Sequence, residues 1–136
     1  MDRMHVIEEW WRLNRGEWVS LEEILPFVVL HKRPGATDLA PTPMLIGAQS
    51  LQARVIGSSN PATFRQTLAT SWTDYSTSVV AAHRRVTETG TPSIAENVFP
   101  KQLTGSGFAY RRGLFPVRTT TGQTMLMTYT TEVTTH

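Results

Sequence analysis

The segment VTETGTP (residues 86–92) decides how the rest of the chain is interpreted. It directly follows the run WTDYSTSVVAAHRRV (72–86), whose apolar side chains recur at spacings of three and four: Trp72, Tyr75, Val79, Ala82, His83 and Val86. That spacing predicts a helix with one apolar face. Gly90 is a favoured residue just past a helix C-terminus, and Pro92 cannot continue a helix. The pattern therefore predicts a helix that ends before Gly90.

The composition changes after Pro92. Three segments rich in β-branched and aromatic residues follow: SIAENVF (93–99), GFAYRRGLFPVRT (107–119) and QTMLMTYTTEV (123–133). The last two flank TTTG (119–122), which indicates a hairpin loop. In the final segment Met125, Met127, Tyr129 and Val133 alternate with Thr124, Leu126, Thr128 and Glu132. One apolar and one mostly polar face predict an antiparallel sheet that is covered on one side.

The N-terminal segment MHVIEEWWRLNRG (4–16) predicts a helix. Its apolar residues at helical spacing are Val6, Ile7, Trp10 and Leu13, with Trp11 beside them. Asp2 is a candidate cap, and Gly16 is a candidate end. The stripe is wider than a short solvent-facing helix needs, so it must pack against this domain or against a second copy of it.

The region between these segments predicts shorter elements. Ser20 and Glu23 form a capping box, which predicts a helical turn from Ser20 to Leu25 that Pro26 ends, followed by the strand FVVLH (27–31). The proline-rich segment 33–43 predicts a loop. MLIGAQSLQARVIGSS (44–59) predicts one or two strands with a bend at Gly47, and SSNPATFRQTLATSW (58–72) predicts a short helix.

Length and composition set limits on function. The chain has 136 residues, enough for one domain, and 40% of them are hydrophobic. It contains no cysteine, which excludes disulfides, thiolate metal sites and cysteine nucleophiles. A net charge of +2 gives little reason to expect nucleic-acid binding. No apolar stretch has the form of a signal peptide or reaches membrane-spanning length, so we expect a cytoplasmic domain without a membrane partner.

The order of these elements resembles a PAS domain. It is most similar to the stand-alone PAS-like family common in alphaproteobacteria, through EEWWRLNRG, ILPFVVL, LQARVIG, VTETGTP and YRRGLFPV. Two features depart from that family: the proline-rich insertion at 33–43 is longer, and no glycine-rich step follows Gly57. The resemblance implies an α+β fold, with a five-stranded antiparallel sheet, helices packed on one face and an N-terminal helix. Residues 1–19 would form that helix, and residues 20–136 the sensor domain.

The resemblance also implies a sensory or regulatory module that is not an enzyme, since the family shares no catalytic residues. A small, largely apolar ligand or a protein partner would bind between helix and sheet, and the change would pass to a separate signalling protein by a population shift. We expect no output domain on this chain, which is why the signal would pass to a separate protein. The residues expected to line the ligand site are Trp72, Tyr75, Val79 and His83 on the helix and Tyr110, Met125, Met127 and Tyr129 on the sheet. Homodimerisation is expected through Val6, Ile7, Trp10, Trp11 and Leu13.

Two other classes of function stay open at the level of sequence. The first is a ligand-free adaptor with a filled core. The second is a small α+β enzyme in which His83 or Asp74 acts as a base, although no catalytic motif supports it. Neither the residues nor the resemblance identifies a cofactor. The glycines of TGSGFAYRRG (104–113) do not form a dinucleotide fingerprint, because Tyr110 occupies the third glycine position and a strand follows.

The histidines and one arginine pair are the remaining candidates for chemistry. His5, His31, His83 and His136 contain no pair at metal-binding helical spacing, so no metal site is predicted. His83 is either a polar group inside a ligand cavity, a haem ligand as in some PAS relatives, or a core histidine with its imidazole satisfied.

Arg111 and Arg112 face opposite ways in a strand, and one of them is a candidate for an anionic ligand. Alternation groups Arg112 with Phe108, Tyr110 and Leu114, and Arg111 with Phe115 and Val117. Both groups contain apolar residues, so the sequence does not choose between the arginines. Both could also lie near solvent with their stems packed on the sheet.

Overall fold

The elements of this protein follow one another in the order that the sequence predicts, apart from one added helix. The structure, a computed structural model, describes residues 2–17, 24–71, 73–99 and 109–133. In these ranges the elements are α1 (Met4–Asn14), a 3₁₀ turn (Leu25–Phe27), β1 (Val28–Lys32), β2 (Pro43–Ile46), α2 (Leu51–Ile56), α3 (Pro61–Ser71), α4 (Thr73–Thr89), β3 (Ser93–Val98), β4 (Ala109–Arg118) and β5 (Thr124–Glu132).

The transition from α4 to β3 confirms the prediction from residues 86–92. Helix α4 ends at Thr89, and Gly90 takes the left-handed conformation with φ of +65°. Its N–H donates to the carbonyl of Val86 at 2.9 Å, which satisfies one of the free carbonyl groups at the helix end. Pro92 then precedes the start of β3 at Ser93, so the chain enters the sheet three residues after the glycine.

The sheet has five antiparallel strands in the order β2-β1-β5-β4-β3. The hairpin loop predicted at 119–122 joins β4 to β5. These two strands pair along their length, and Gly113 of β4 lies opposite Tyr129 of β5. The N-terminal strand β1 pairs with the C-terminal strand β5, and Leu30 lies opposite Met127. The predicted α+β fold with a five-stranded antiparallel sheet is confirmed.

Helix α1 covers one face of the sheet. Met4 and Ile7 are buried there in a cluster with Val28, Leu30, Phe115, Val117, Met127 and Tyr129. Trp11 packs at its edge, and its indole N–H donates to the carbonyl of Pro116 at 2.7 Å. Ile7 and Trp11 therefore pack against the sheet of their own domain. The outward-facing residues of the stripe are Val6 and Leu13, which are 57% and 70% exposed.

Helices α2, α3 and α4 cover the opposite face. Val29 and Ile46 pack there against Phe64 and Leu68 of α3, while Leu114 and Leu126 pack against Val86 of α4. The prediction that the sheet is covered on one side only is wrong for β5. Its polar side chains are buried as well, because threonine is small and its hydroxyl can find a partner. Thr130, for example, donates to the Gln52 amide oxygen of α2 at 2.6 Å.

The segment after Gly47 is a helix where the sequence predicted a second strand. The hydroxyl of Ser50 accepts the N–H of Ala53 at 3.1 Å and caps α2, and Gly57 ends the helix with φ of +81°. β2 ends at Ile46, and the chain turns at Gly47, whose carbonyl accepts the N–H of Ser50 at 3.0 Å. A side chain does not fit at Gly47, because a Cβ there would collide with the backbone of Leu25 and Pro26.

The predicted helix in 58–72 is also confirmed, as α3. The predicted capping box at Ser20 and Glu23 lies outside the described residues. Pro26 lies inside the 3₁₀ turn Leu25–Phe27 that leads into β1.

Candidate ligand-binding cavity

A cavity of about 30 Å³ lies between the sheet and helices α2–α4. Strands β1, β4 and β5 form its floor, and α4 forms a wall. Six polar residues that line it are named here the polar cluster: His31, Tyr75, His83, Tyr110, Arg112 and Thr128. Gln52 and Thr130, which are hydrogen-bonded to each other, and apolar side chains that include Phe64, Leu68 and Val79 line the remainder. The cavity is therefore a small space in which a set of polar groups meets an apolar wall.

Strand β4 directs its two adjacent arginines to opposite faces of the sheet. Arg112 lies opposite Thr130 of β5 and lines the cavity together with Tyr110, two residues earlier. Arg111 is on the α1 face near the surface, where its guanidinium lies 3.8 Å from Asp2 and 3.7 Å from Glu96. The ambiguity left by the sequence is resolved in favour of Arg112 as the interior cation.

His31 on the floor of the cavity is in contact with His83 on its wall. Their ring centroids are 4.7 Å apart in an edge-to-face arrangement, and both side chains are buried. Burial, assisted by the positive charge of Arg112, lowers the pKa of His31 to about 3. Burial, the neighbouring His31 and Arg112 lower the pKa of His83 well below its ordinary value. Both imidazoles are therefore neutral near neutral pH.

Two tyrosines from different elements join at the other end of the cluster. The hydroxyl groups of Tyr75 on α4 and Tyr110 on β4 are hydrogen-bonded to each other. Burial raises the pKa of both phenols, although the charge of Arg112 acts in the opposite direction on each. The phenols remain protonated and can donate as well as accept hydrogen bonds.

Arg112 brings a full positive charge into this interior. Its residue surface is only 8% exposed, and no carboxylate of the described residues lies within ion-pair distance of it. Two further polar atoms of the cluster, Nδ1 of His31 and the hydroxyl of Thr128, are buried without a hydrogen-bond partner. Unpaired buried groups of this kind cost free energy of folding and call for an explanation.

The structure brings half of the predicted ligand-site residues together. Tyr75, Val79, His83 and Tyr110 all line the cavity. Trp72 lies outside the described residues. Met125, Met127 and Tyr129 do not line the cavity, because they face α1 on the opposite side of the sheet. The apolar face of β5 was expected to face the ligand, but it forms the core beneath α1.

His31 and Thr128 of the polar cluster were not among the residues predicted for the site, and Arg112 was predicted only as an alternative to Arg111. A signal that favours Arg112 was present in the sequence, because it lies two residues after Tyr110 in a strand and so shares its face. No comparable signal links His31 to His83, since the two residues meet only through the packing of α4 on β1.

The described ranges contain no metal-binding cluster and no membrane-spanning helix. No three histidine, aspartate or glutamate side chains come together there in a way that could hold a metal ion. None of the described helices is sufficiently long and apolar to cross a membrane.

The arrangement of strands and helices is similar to that of light-oxygen-voltage (LOV) domains, which are a subfamily of PAS domains. A fungal LOV domain photoreceptor matches with a TM-score of 0.55 and 12% identity, over 96% of this chain and 92% of that one. An RNA-binding LOV receptor matches with a TM-score of 0.51 and 16% identity, over 98% of this chain and 35% of the receptor. No protein-family model and no curated protein matches this sequence. The fold is therefore PAS-like.

Proposed function

We propose that this protein is a sensory or regulatory PAS-like module that binds a small molecule in the cavity beneath α4. The observation that carries the proposal is the polar cluster, in which Arg112 is buried without a carboxylate partner among the described residues. A fold that needed only a stable core would be served better by apolar side chains here, because an uncompensated buried charge is destabilising. Perturbed titratable groups gathered at one cavity are typical of a functional site.

The polar cluster favours a polar ligand over the largely apolar one predicted from the sequence. Its hydroxyl, imidazole and guanidinium groups converge on the cavity from both the helix and the sheet. A polar ligand would satisfy His31 Nδ1 and the Thr128 hydroxyl, which have no hydrogen-bond partner among the described residues.

Strand β4 links the cavity on one face of the sheet to α1 on the other, so a change at the cavity can reach this helix. Gly113 follows Arg112 and faces α1, and a Cβ at Gly113 would lie 2.7 Å from the sulfur of Met4. Because the backbone of β4 is in such close contact with α1, a shift of Arg112 on ligand binding would change the packing of that helix. The signal would be a population shift between two packings of α1 and α4 on the sheet, transmitted to a separate protein.

Helix α1 also offers a surface for homodimerisation. Val6 and Leu13 are large, exposed apolar residues on its outer side. We propose that these two residues contribute to a dimer contact, with Trp10 beside them. Ile7 has no exposed surface to offer to this contact, while Trp10 and Trp11 are partly buried against the sheet of their own chain.

The narrower family and cellular context remain part of this proposal. The motifs in the sequence support membership of the stand-alone alphaproteobacterial PAS-like family and a cytoplasmic, non-enzymatic role. The groups of the polar cluster include no evident nucleophile paired with a base, which agrees with a binding function.

A ligand-free adaptor is the second candidate, and the size of the cavity favours it. A volume of about 30 Å³ holds roughly two water molecules, whereas pockets for drug-sized ligands occupy about 300–1,000 Å³. In that case the cluster would be filled by water, and regulation would depend on surfaces alone. A large ligand would require α4 to move away from the sheet.

Native mass spectrometry of freshly purified protein separates the two candidates. A stoichiometric added mass that is released on denaturation, and that is absent from the Arg112→Met variant, would support ligand sensing. The Arg111→Met variant is the matched control, since it removes the neighbouring arginine from the opposite face. Wild-type protein with no added mass, and with no stabilisation by any member of a small-molecule set, would favour the adaptor.

A further inference from the structure

The chemistry of the polar cluster narrows the class of ligand. The cluster contains one cation, two neutral imidazoles and three hydroxyl groups, and it contains no carboxylate. Each of these groups can donate a hydrogen bond, since a neutral imidazole carries one N–H and both phenols keep their protons. A cavity lined by donors around a positive charge is complementary to an anion.

The guanidinium group specifies the shape of that anion. Arg112 is fixed on the central part of β4, between its sheet neighbours Ala95 and Thr130. Thr130 is already engaged with Gln52, so its hydroxyl proton is not free for Arg112's ligand. The planar fork of guanidinium donors matches the two oxygens of a carboxylate, and such charge-assisted pairs are among the strongest hydrogen bonds in proteins.

Two further donors lie in the same cavity without partners. The Thr128 hydroxyl and Nδ1 of His31 are buried and line the same space as Arg112. When His31 is protonated at Nδ1 in its neutral form, this nitrogen is a donor. A bound anion would therefore satisfy groups that no described protein atom satisfies.

The volume of the cavity limits the size of the ligand, and the apolar residues in its wall determine which group can accompany the carboxylate. About 30 Å³ holds roughly two water molecules, which is the scale of formate or acetate and well below that of a nucleotide. Val79, Phe64 and Leu68 line the cavity and would contact a short alkyl group. We propose, building on the ligand-sensing function above, that the cavity is a binding site for a small monocarboxylate whose carboxylate group is held by Arg112.

Amide NMR titration with sodium acetate tests this inference, with acetamide as a neutral molecule of nearly the same shape. Sodium chloride is exchanged for sodium acetate at constant ionic strength. We expect saturable shifts centred on Arg112, Thr128 and His31 with acetate, and none with acetamide. Arg112→Met should weaken acetate binding roughly tenfold or more, because hydrogen bonds to a charged group are lost. Arg111→Met should bind acetate as the wild type does.

The possible outcomes separate this inference from the proposed function. Equal saturable shifts with acetate and acetamide would overturn the carboxylate assignment and leave a ligand site in the cavity. The absence of saturable shifts with both compounds would also overturn it, while the mass of any co-purified molecule would still decide the broader function. If Arg112→Met does not fold, Thr128→Val takes its place, and the wild-type contrast between acetate and acetamide remains decisive.

Discussion

The imidazoles of His31 on β1 and His83 on α4 meet edge to face, with their ring centroids 4.7 Å apart. This contact joins the centre of the sheet to the longest described helix at the edge of the cavity. Because His83 is only 1% exposed, the pair has no access to bulk water that would stabilise a charge on it. The folded protein therefore favours the neutral form of both imidazoles.

The buried histidine pair predicts a loss of stability in acid. In the unfolded chain histidine takes up a proton below about pH 6.5, while the folded-state pKa of His31 is about 3. Between these values the unfolded state binds more protons, so the free energy of unfolding falls as the pH falls. We expect a decrease of about 1.4 kcal/mol per pH unit for each histidine, measured by urea unfolding at a series of pH values.

A variant that removes one of the two rings tests this slope. Arg112 faces both rings, and the phenols of Tyr75 and Tyr110 close the other end of the cluster. His31→Gln should reduce the slope of stability against pH, whatever its effect on absolute stability. Val6→Ala, an exposed change that neither adds nor removes a titratable group, should keep the slope of the wild type. Identical slopes for the wild type and His31→Gln would show that His31 does not titrate in this way.

Arg84 is predicted to hold the proline-rich loop against α4. Its guanidinium donates to the carbonyls of Gly35 and Asp38 at 2.9 and 3.1 Å, and more weakly to that of Ala36. We expect Arg84→Ala to lower the free energy of unfolding by about 1–3 kcal/mol. Faster hydrogen exchange should appear in the loop 33–42, which carries the cavity residue Pro41. Arg85→Ala, at an exposed position on the same helix, should change neither the free energy of unfolding nor hydrogen exchange in the loop. Equal effects of the two substitutions would show that Arg84 does not hold the loop against α4.

Packing of α1 on its own sheet predicts a contrast between adjacent residues. Ile7 is fully buried, while Val6 is mostly exposed. We expect Ile7→Ala to cost about 2–5 kcal/mol of unfolding free energy because it leaves a cavity beneath the helix. Val6→Ala should stay within about 0.5 kcal/mol of the wild type. Comparable losses at both positions, measured by chemical denaturation, would mean that α1 does not sit on the sheet as described.

The outer side of α1 predicts the oligomeric state. The double variant Val6→Glu and Leu13→Glu places two charges on the exposed apolar side and should convert a dimer into a monomer in sedimentation velocity. The control is Ala62→Glu with Gln66→Glu on α3, which adds the same number of charges at exposed positions. A dimer that persists in the first variant would exclude this surface as the interface.

Local signals in the sequence predicted most of the fold. Gly90 and Pro92 end α4 through their own backbone preferences, so this boundary depended on no distant contact. The segment LQARVIG was mistaken for a strand because six residues contain too little periodicity to separate a helix from a strand. Its capping residue Ser50 is the signal that identifies the helix.

The candidate site was less accessible to prediction from sequence. Alternation in β5 separates Met127 from Thr128 correctly, but it does not tell which layer covers each face. The helix covering Met127 is α1, from the other end of the chain, and the cavity lies on the threonine side. The pairing of His31 with His83 is likewise set by tertiary packing, which no short-range pattern encodes.

The most direct test of the central claim, that the polar cluster exists to bind a ligand, is the free energy of unfolding of Arg112→Met after exhaustive dialysis. If Arg112 serves a ligand, replacing it with an apolar side chain of similar length should leave stability unchanged or raise it by about 1–4 kcal/mol. Arg111→Met provides the reference for loss of a surface arginine. A decrease of about 3 kcal/mol or more in Arg112→Met alone would contradict the claim and make Arg112 a structural residue.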